Sequence, residues 1–379
     1  MDFRLGPELE AVRQTAREFA EGRVAPLVPA MEASDEFPTE LIGAMGEAGF
    51  FGVTIPTEYG GSGLGHLARL VILEEVAAVS AAVAMALQVF HLGIDPIVSA
   101  GDEALKRRLL PELAAGRRLA TVAVTEATGG SDPATLGTVC RRVARDGGSG
   151  WVLSGRKVFI TNAHLADVVT VLARTESGEF NAFVVERGTP GLSAGRKEHK
   201  VGLKGCDTGE VVLEDCFVPE ANLLGGEGNG LKVVMKSISE VGRAGMAGCG
   251  LGLIRACLDA AAAYAAKRQL YGKPLNRLPA IQAKLADMAL ALETSRWLSY
   301  RAAWLKDTGS RCDVEMAMAK YQATEAAIQA AKLAAEVHGG YGYMLEFPTQ
   351  RYLRDAQLLV PSAGTNDVMK VVIGRAFSR

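Results

Sequence analysis

The chain of 379 residues is long enough for two or three compact units with a large buried core, and its 49% hydrophobic and 22% charged residues are typical of a globular protein. A formal net charge of −2 gives no reason to expect a nucleic-acid or membrane partner. Six scattered cysteines and five histidines lack the spacing of metal ligands, so the sequence predicts no metal site and favours free thiols in a cytoplasmic protein.

The first part of the chain, residues 1–116, is predicted to form a helical N-terminal domain. Apolar residues recur at helical spacing from Leu9 to Val28, and Pro26 and Pro29 are expected to end that helix. The remaining predicted helical stretches are Glu40 to Gly49, Leu67 to Phe90, Ile94 to Ala100 and Glu103 to Leu113.

The pattern changes near Arg117, and residues 117–226 are predicted to form a middle β-domain. Short β-rich runs alternate there with turn residues, among them a turn at Asp146-Gly-Gly-Ser-Gly150. The five predicted strands are Ala120–Thr125, Trp151–Ile160, Val168–Ala173, Phe180–Glu186 and Glu210–Val218.

Residues 227–379 are predicted to be helical again. Three long alanine-rich segments have the length and low turn content of bundle helices. They are Leu251–Tyr271, Pro279–Asp307 and Asp313–Val337.

Six separated motifs carry the functional signal, and each is weak when taken alone. The first leaves a predicted strand for a glycine-rich loop, where small residues let backbone N–H groups approach a ligand. In chain order the motifs are Val124-Thr-Glu-Ala-Thr-Gly-Gly-Ser-Asp132, Phe159-Ile-Thr-Asn162, Val218-Pro-Glu-Ala-Asn-Leu-Leu-Gly225, Arg268-Gln-Leu-Tyr-Gly-Lys-Pro274, Gln282-Ala-Lys-Leu-Ala-Asp-Met288 and His338-Gly-Gly-Tyr-Gly-Tyr343.

The order and spacing of these motifs closely resemble the acyl-CoA dehydrogenase family over essentially the whole chain. The resemblance implies an α+β, mostly α fold with a helical N-domain, a middle antiparallel β-domain and a C-terminal four-helix bundle. It also implies bound FAD and a dimer-of-dimers homotetramer. The implied substrate is a thioester of coenzyme A or of an acyl-carrier protein, and an electron-transfer flavoprotein is the implied partner if net oxidation occurs.

The resemblance assigns cofactor contacts residue by residue. Phe159 stands where the family commonly has tryptophan beside the flavin, and an aromatic ring there can cover a ring face. Arg268 matches the arginine that reaches the FAD pyrophosphate of a neighbouring subunit, where a guanidinium fork suits the anion. Acidic residues at 336 and 367 are expected to weaken FAD binding. The other matching positions are Val124, Thr125, Ser131, Thr161, Gln282, Glu336, Gly339, Gly340, Thr365 and Asp367.

The catalytic base is missing from both positions at which the family places a glutamate. Ala363 occupies the position before Gly364-Thr365, and Gly242 occupies the alternative position before Arg243. A methyl group or a hydrogen cannot accept a proton, so the sequence predicts a wider pocket and a base elsewhere.

Substrate contacts are implied for Glu240 and Arg243, whose alternative interpretation is a surface ion pair at i,i+3 spacing. On the segment that lines the acyl pocket in the family, Gln88, His91 and Asp95 share one helical face with Leu92. Asp95 is the first candidate base and His91 the second. Asp95 could instead cap a helix that begins at Pro96.

Three functions remain open on the sequence alone. The leading one is FAD-dependent oxidation of an atypical acyl thioester, with a bulky, cyclic or functionalised acyl group and a base other than glutamate. The second is an elimination of the lyase or desulfinase type without net oxidation. The third is a non-catalytic subunit or a thioester-binding protein, which the retained flavin motifs disfavour.

Overall fold

The computed structural model describes residues 4–145 and 148–378, so Asp146 and Gly147 of the predicted turn lie outside the described residues. The chain begins with helices, continues through a sheet and ends in helices, which confirms the predicted fold class. The N-terminal helices are α1 (Pro7–Phe19), α2 (Val28–Ser34), α3 (Glu40–Glu47), α4 (Gly65–Val79), α5 (Ala81–Ala100) and α6 (Glu103–Ala114).

Two predictions about helix ends are wrong. A π turn (Ala20–Val24) and a 3₁₀ turn (Ala25–Leu27) carry the chain from α1 into α2, because the prolines lie in first turns that need no N–H donor. Helix α5 is capped by Ser80, whose Oγ accepts the N–H of Val83, and it continues from Ala81 through Pro96 to Ala100. Asp95 therefore lies inside a helix and does not cap one.

The middle of the chain forms a sheet of mostly antiparallel strands in the order β6-β7-β3-β2-β4-β5-β8, with β1 paired to β4 in parallel. Strand β2 also pairs with β4 in parallel, through Val139 and Arg174, and these two pairings depart from the predicted antiparallel domain. The β2–β3 hairpin separates β1 from β4 in sequence, so the chain can return in the same direction. The strands are β1 (Ala120–Ala123), β2 (Val139–Arg145), β3 (Gly148–Thr161), β4 (Val168–Arg174), β5 (Phe180–Glu186), β6 (Leu192–Lys197), β7 (Thr208–Pro219) and β8 (Leu223–Leu224).

The C-terminal part consists of long helices and one short hairpin, β9 (Gln269–Leu270) with β10 (Lys273–Pro274). A π turn (Ile238–Gly242) joins the first two of these helices. The helices are α7 (Gly230–Ser237), α8 (Arg243–Lys267), α9 (Pro279–Asp307), α10 (Asp313–His338), α11 (Thr349–Leu359) and α12 (Asn366–Ala376).

The N-terminal and C-terminal helices share one core, in which α4 packs against α8. A Cβ at Gly252 of α8 would lie 2.4 Å from the carbonyl oxygen of Glu74, so only glycine allows this close approach. Gly93 does the same for α5 against β1, where a Cβ would lie 2.5 Å from the carbonyl carbon of Ala120. These two contacts hold α4 close to α8 and α5 close to the sheet. Helix α5 and the segment Gly230–Lys267 are apolar and long enough to span a membrane, but most of each is buried within the fold.

Candidate active site

Two small residues face each other where the helices meet. Ala363 lies in the loop between α11 and α12 with a φ of +53°, a left-handed conformation that is unfavourable for alanine. Gly242 ends the π turn before α8. A Cβ built on Gly242 would lie 3.3 Å from the Cβ of Ala363 and 3.7 Å from Cδ1 of Leu92. The structure therefore brings together both positions at which a glutamate was implied, and neither carries a carboxylate.

The loop that carries Ala363 is held by Lys320, which the sequence analysis did not single out. The Lys320 ammonium donates to the carbonyl oxygens of Val360 (2.6 Å) and Gly364 (2.9 Å) and to Oδ1 of Asn366. Burial lowers its pKa to about 7. The only sequence signal was a lysine inside an alanine-rich, buried helix.

Asp95 faces the same segment as Gly242. Its Oδ2 accepts a hydrogen bond from Oγ of Ser237, the last residue of α7, immediately before the π turn. Burial raises the pKa of Asp95, while the Ser237 hydroxyl and the Lys306 ammonium oppose that rise. A partly buried carboxylate with a raised pKa is a suitable proton acceptor near neutral pH.

His91 and Gln88 lie on the same helix, but their side chains are held by different partners. Nε2 of His91 lies 2.7 Å from the carbonyl oxygen of Phe50 and must therefore carry the hydrogen. Burial lowers the pKa of His91 to about 3, which makes it a weak base. The Gln88 amide faces the site, because its Nε2 lies 3.5 Å from the carbonyl oxygen of Gly242.

The alternative interpretation of Glu240 and Arg243 as a surface ion pair is wrong. Glu240 pairs with Lys306, and the buried guanidinium of Arg243 donates to the carbonyl oxygen of Asp313 at 3.4 Å. Burial lowers the pKa of Arg243, and its Nε has no partner among the described residues. Their contact with coenzyme A remains a prediction.

A second residue that sequence reasoning missed is Arg69 of α4, which is fully buried. Its Nη2 donates to Oε1 of Gln88 and to the carbonyl oxygen of Val241, both at 2.9 Å. The signal was a lone arginine in the apolar run that begins at Leu67. Arg69 thus contacts the turn that contains Gly242.

The predicted flavin contacts in the sheet lie around one strained aromatic residue. Phe159 has a φ of +57° at a β-bulge between β3 and β7, and 63% of it is exposed. Strain of this kind and an exposed ring persist where a ligand uses them. Thr161, two residues on, has a carbonyl oxygen that accepts from Oγ1 of Thr121 at 2.8 Å.

The glycine-rich loop after β1 is anchored by a buried ion pair. Nζ of Lys157 donates to Oε1 of Glu126 (2.7 Å) and to the carbonyl oxygen of Val124 (3.1 Å). A Cβ at Gly130 would lie 3.0 Å from Oγ1 of Thr125, so the loop folds back onto that hydroxyl. Ser131 follows, exposed to solvent.

The other predicted cofactor residues lie in the C-terminal helical part. Arg268, Glu336, Gly339 and Gly340 line one cavity of about 580 Å³ together with apolar and aromatic side chains. Glu336 pairs with Lys284, whose charge lowers the Glu336 pKa and offsets the expected repulsion of a phosphate.

The last three cofactor candidates lie at helix starts. Gln282 is exposed in the first turn of α9, where its Nε2 donates to the carbonyl oxygen of Asn276 at 3.0 Å. Thr365 caps α12 by accepting the N–H of Val368 at 3.3 Å. Asp367 is exposed and lies 3.5 Å from Lys370.

These residues fit FAD by their chemistry. An exposed aromatic ring at Phe159 can lie against a flat ring system, and the guanidinium of Arg268 in an open cavity suits a pyrophosphate. Phe159 belongs to the sheet, whereas Arg268 and the other residues of the cavity belong to the C-terminal helical part.

Comparison with protein families finds three matching models that together cover most of the chain. They are the N-terminal domain (residues 6–117), the middle domain (residues 121–216) and the C-terminal domain (residues 228–378) of acyl-CoA dehydrogenase. Acyl-CoA dehydrogenase of Bacillus subtilis is 40% identical over 369 residues, covering 96% of both chains. Benzylmalonyl-CoA dehydrogenase of Aromatoleum aromaticum is 39% identical over 382 residues and covers all of both chains.

Solved structures agree with the sequence relatives. Butyryl-CoA dehydrogenase from Megasphaera elsdenii has a TM-score of 0.97 at 35% identity, with complete coverage of both chains. A glutaryl-coenzyme A dehydrogenase in complex with glutaryl-CoA has a TM-score of 0.94 at 36% identity, covering 100% of this chain and 98% of the other. An acyl-CoA dehydrogenase from Bacillus anthracis complexed with FAD has a TM-score of 0.92 at 29% identity, covering 98% and 66%. The chain belongs to the acyl-CoA dehydrogenase family, and it is a flavoprotein oxidoreductase whose cofactor is FAD.

Proposed function

We propose that this flavoenzyme oxidises a thioester with a bulky, cyclic or functionalised acyl group and uses a base other than the usual glutamate. The observation that carries the proposal is the 3.3 Å separation between the Cβ of Ala363 and a Cβ built on Gly242. With a methyl group facing a hydrogen, the site offers more space than a glutamate would leave. It also lacks a carboxylate at both positions.

FAD, when bound, supplies the acceptor for the hydride that leaves the acyl chain. The chain's own residues have to hold the thioester and remove the proton. Asp95 is the proposed proton acceptor, because its carboxylate has a raised pKa and faces the segment that leads to Gly242. Glu240 and Arg243 are the proposed contacts of the coenzyme A or carrier-protein part of the thioester.

Two further features support the wider proposal. Benzylmalonyl-CoA dehydrogenase, an enzyme named for an aromatic acyl group, matches the chain along its whole length.

Helix α9 exposes Leu290, Trp297 and Trp304 at intervals of seven residues. These residues form an apolar stripe that suits a subunit contact in a homotetramer. We further propose a cytoplasmic protein that passes its electrons to an electron-transfer flavoprotein.

The test is anaerobic mixing of the purified protein with acyl-CoA thioesters, following flavin absorbance and product mass together. The panel contains butyryl- and octanoyl-CoA and, against them, 3-phenylpropionyl- and cyclohexanecarboxyl-CoA. We expect the bulky pair to bleach the flavin faster. Faster bleaching by the straight chains would refute the proposal. A new product without bleaching would favour elimination, and neither signal would favour a non-catalytic subunit.

A further inference from the structure

The most unusual buried group in the site is the guanidinium of Arg69. It is fully buried, and only Nη2 has acceptors, at Gln88 and Val241. Nε and Nη1 have no hydrogen-bond partner among the described residues. Burial lowers the pKa of Arg69 to about 10, so the side chain stays charged at neutral pH. Burying a charged side chain with two unpaired donor nitrogens costs folding free energy unless an anion binds there.

The nearby acidic residues do not neutralise Arg69. Among the described residues its hydrogen-bond acceptors are an amide and a backbone carbonyl oxygen, and no carboxylate forms an ion pair with it. The negative charges of Asp95 and Asp307 raise the pKa of Arg69 by electrostatic attraction, without a hydrogen bond to it. Asp95 accepts from Ser237, and Asp307 accepts the backbone N–H groups at the start of α4.

Two histidines beside Arg69 extend the polar interior without adding charge. His66 lies one turn before Arg69 on α4, and His91 lies on α5. Nδ1 of each is buried without a partner among the described residues. Burial is the largest cause that lowers the pKa of both, and the Arg69 charge lowers them further. Both imidazoles are therefore neutral, and Arg69 supplies the positive charge.

The guanidinium lies beside the turn that contains Gly242. It contacts the carbonyl oxygen of Val241, and the Gln88 amide that it holds lies next to the carbonyl oxygen of Gly242. Gly242 in turn faces Ala363. A group extending from the acyl chain past these two small residues would meet a charged guanidinium with two unpaired donor nitrogens, Nε and Nη1.

We propose that Arg69, oriented by Gln88, binds a carboxylate carried by the acyl group, so that the substrate is the thioester of a dicarboxylic acid. A guanidinium with two free donors suits a carboxylate well. This inference rests on the proposed function, because it specifies the functionalised acyl group. Two of the relatives have names that contain dicarboxylic acyl groups, benzylmalonyl and glutaryl.

The experiment compares thioesters that differ by one carboxylate. Glutaryl-CoA is paired with pentanoyl-CoA, and benzylmalonyl-CoA with 3-phenylpropionyl-CoA. Calorimetric binding to the FAD-loaded protein is measured for the wild type, Arg69→Met and Arg69→Lys. A hydrogen bond to a buried charge is worth about 10- to 100-fold in affinity, so the wild type should prefer one or both dicarboxylic members by that factor. Arg69→Met should abolish the preference, and Arg69→Lys should reduce it.

Arg255→Met is the matched control, since Arg255 is a largely buried arginine whose donors are already taken by Glu75 at 2.6 and 2.8 Å. It should lower the thermal midpoint and leave the preference unchanged. Equal affinity within both wild-type pairs, or a preference that survives Arg69→Met, would overturn the proposal. If Arg69→Met does not fold, the wild-type comparison and Arg69→Lys decide it.

Flavin bleaching in the same samples separates this inference from the proposed function. Equal binding and equal bleaching within each pair would refute the carboxylate site and leave the oxidation in place. A carboxylate preference that depends on Arg69, without bleaching by any thioester, would support the binding site and refute the oxidation.

Discussion

Replacing Asp95 with asparagine should reduce turnover of the true substrate by about 10²-fold or more, because a positioned general base typically contributes that much. Asparagine keeps the size of the side chain and can still accept the hydrogen bond from Ser237. Folding and FAD content should therefore change little. This combination of results separates a catalytic carboxylate from one that serves only to stabilise the contact between α5 and α7.

The hydrogen bond from Ser237 makes the prediction quantitative. It stabilises the ionised form of Asp95 and so opposes the effect of burial on its pKa. A hydrogen bond to an ionised group contributes about 1.5–3 kcal/mol, and about 1.4 kcal/mol changes an equilibrium constant tenfold. Ser237→Ala should therefore lower the acid dissociation constant of Asp95 by about tenfold or more. Because the base must be ionised, the acidic limb of the kcat/KM profile should move to higher pH.

The assay is the pH profile of kcat/KM for the wild type, Ser237→Ala and Asp95→Asn, with thermal midpoint and FAD content measured on the same preparations. Ser239→Ala is the control, since this hydroxyl lies in the same turn and no contact with Asp95 is seen. Full activity of Asp95→Asn would refute the reasoning. The reasoning would also be refuted if the acidic limb of the kcat/KM profile of Ser237→Ala coincided with that of the wild type.

The purified protein should carry one noncovalent FAD per subunit, and Phe159→Gly should lose FAD in dialysis while its apoprotein unfolds no earlier, because glycine relieves the positive φ. Ala363→Glu should raise the rate of flavin reduction by butyryl-CoA about 10²-fold in stopped-flow measurements. An unchanged rate would contradict the inference that the site lacks a catalytic base at this position. Burial raises the pKa of Asp355 to about 6 from 3.8, so the folded state keeps a proton that the unfolded chain releases. Stability should therefore fall by about 3 kcal/mol between pH 4 and 6, and urea titrations of Asp355→Asn should show a smaller fall. Trp304→Glu should reduce the light-scattering mass from that of a tetramer, and a wild-type monomer would contradict the proposed assembly.

Sequence periodicity predicted the two longest C-terminal helices and five of the eight strands of the large sheet, because these patterns are local. Alanine-rich runs predicted α9 with its observed bounds and α10 to within one residue. Strands β2 and β6 were missed because their exposed, arginine- and lysine-containing sequences lack a clear apolar alternation, and β8 was missed because it has only two residues. The first helix was ended too early because proline in the first turn of a new helical segment carries the same signal as proline that breaks a helix.

The sequence by itself determined the family, the cofactor and the absence of a glutamate at positions 242 and 363, since these follow from which residues stand in which order. Only the tertiary structure decided which residues surround positions 242 and 363. It placed Gly242 against Ala363 across 120 intervening residues, directed Asp95 to Ser237, and turned His91 to a backbone carbonyl. It also buried Arg69 beside the same turn. Such contacts depend on how α4, α5 and α8 pack, and no local pattern records which side of a buried helix faces a pocket.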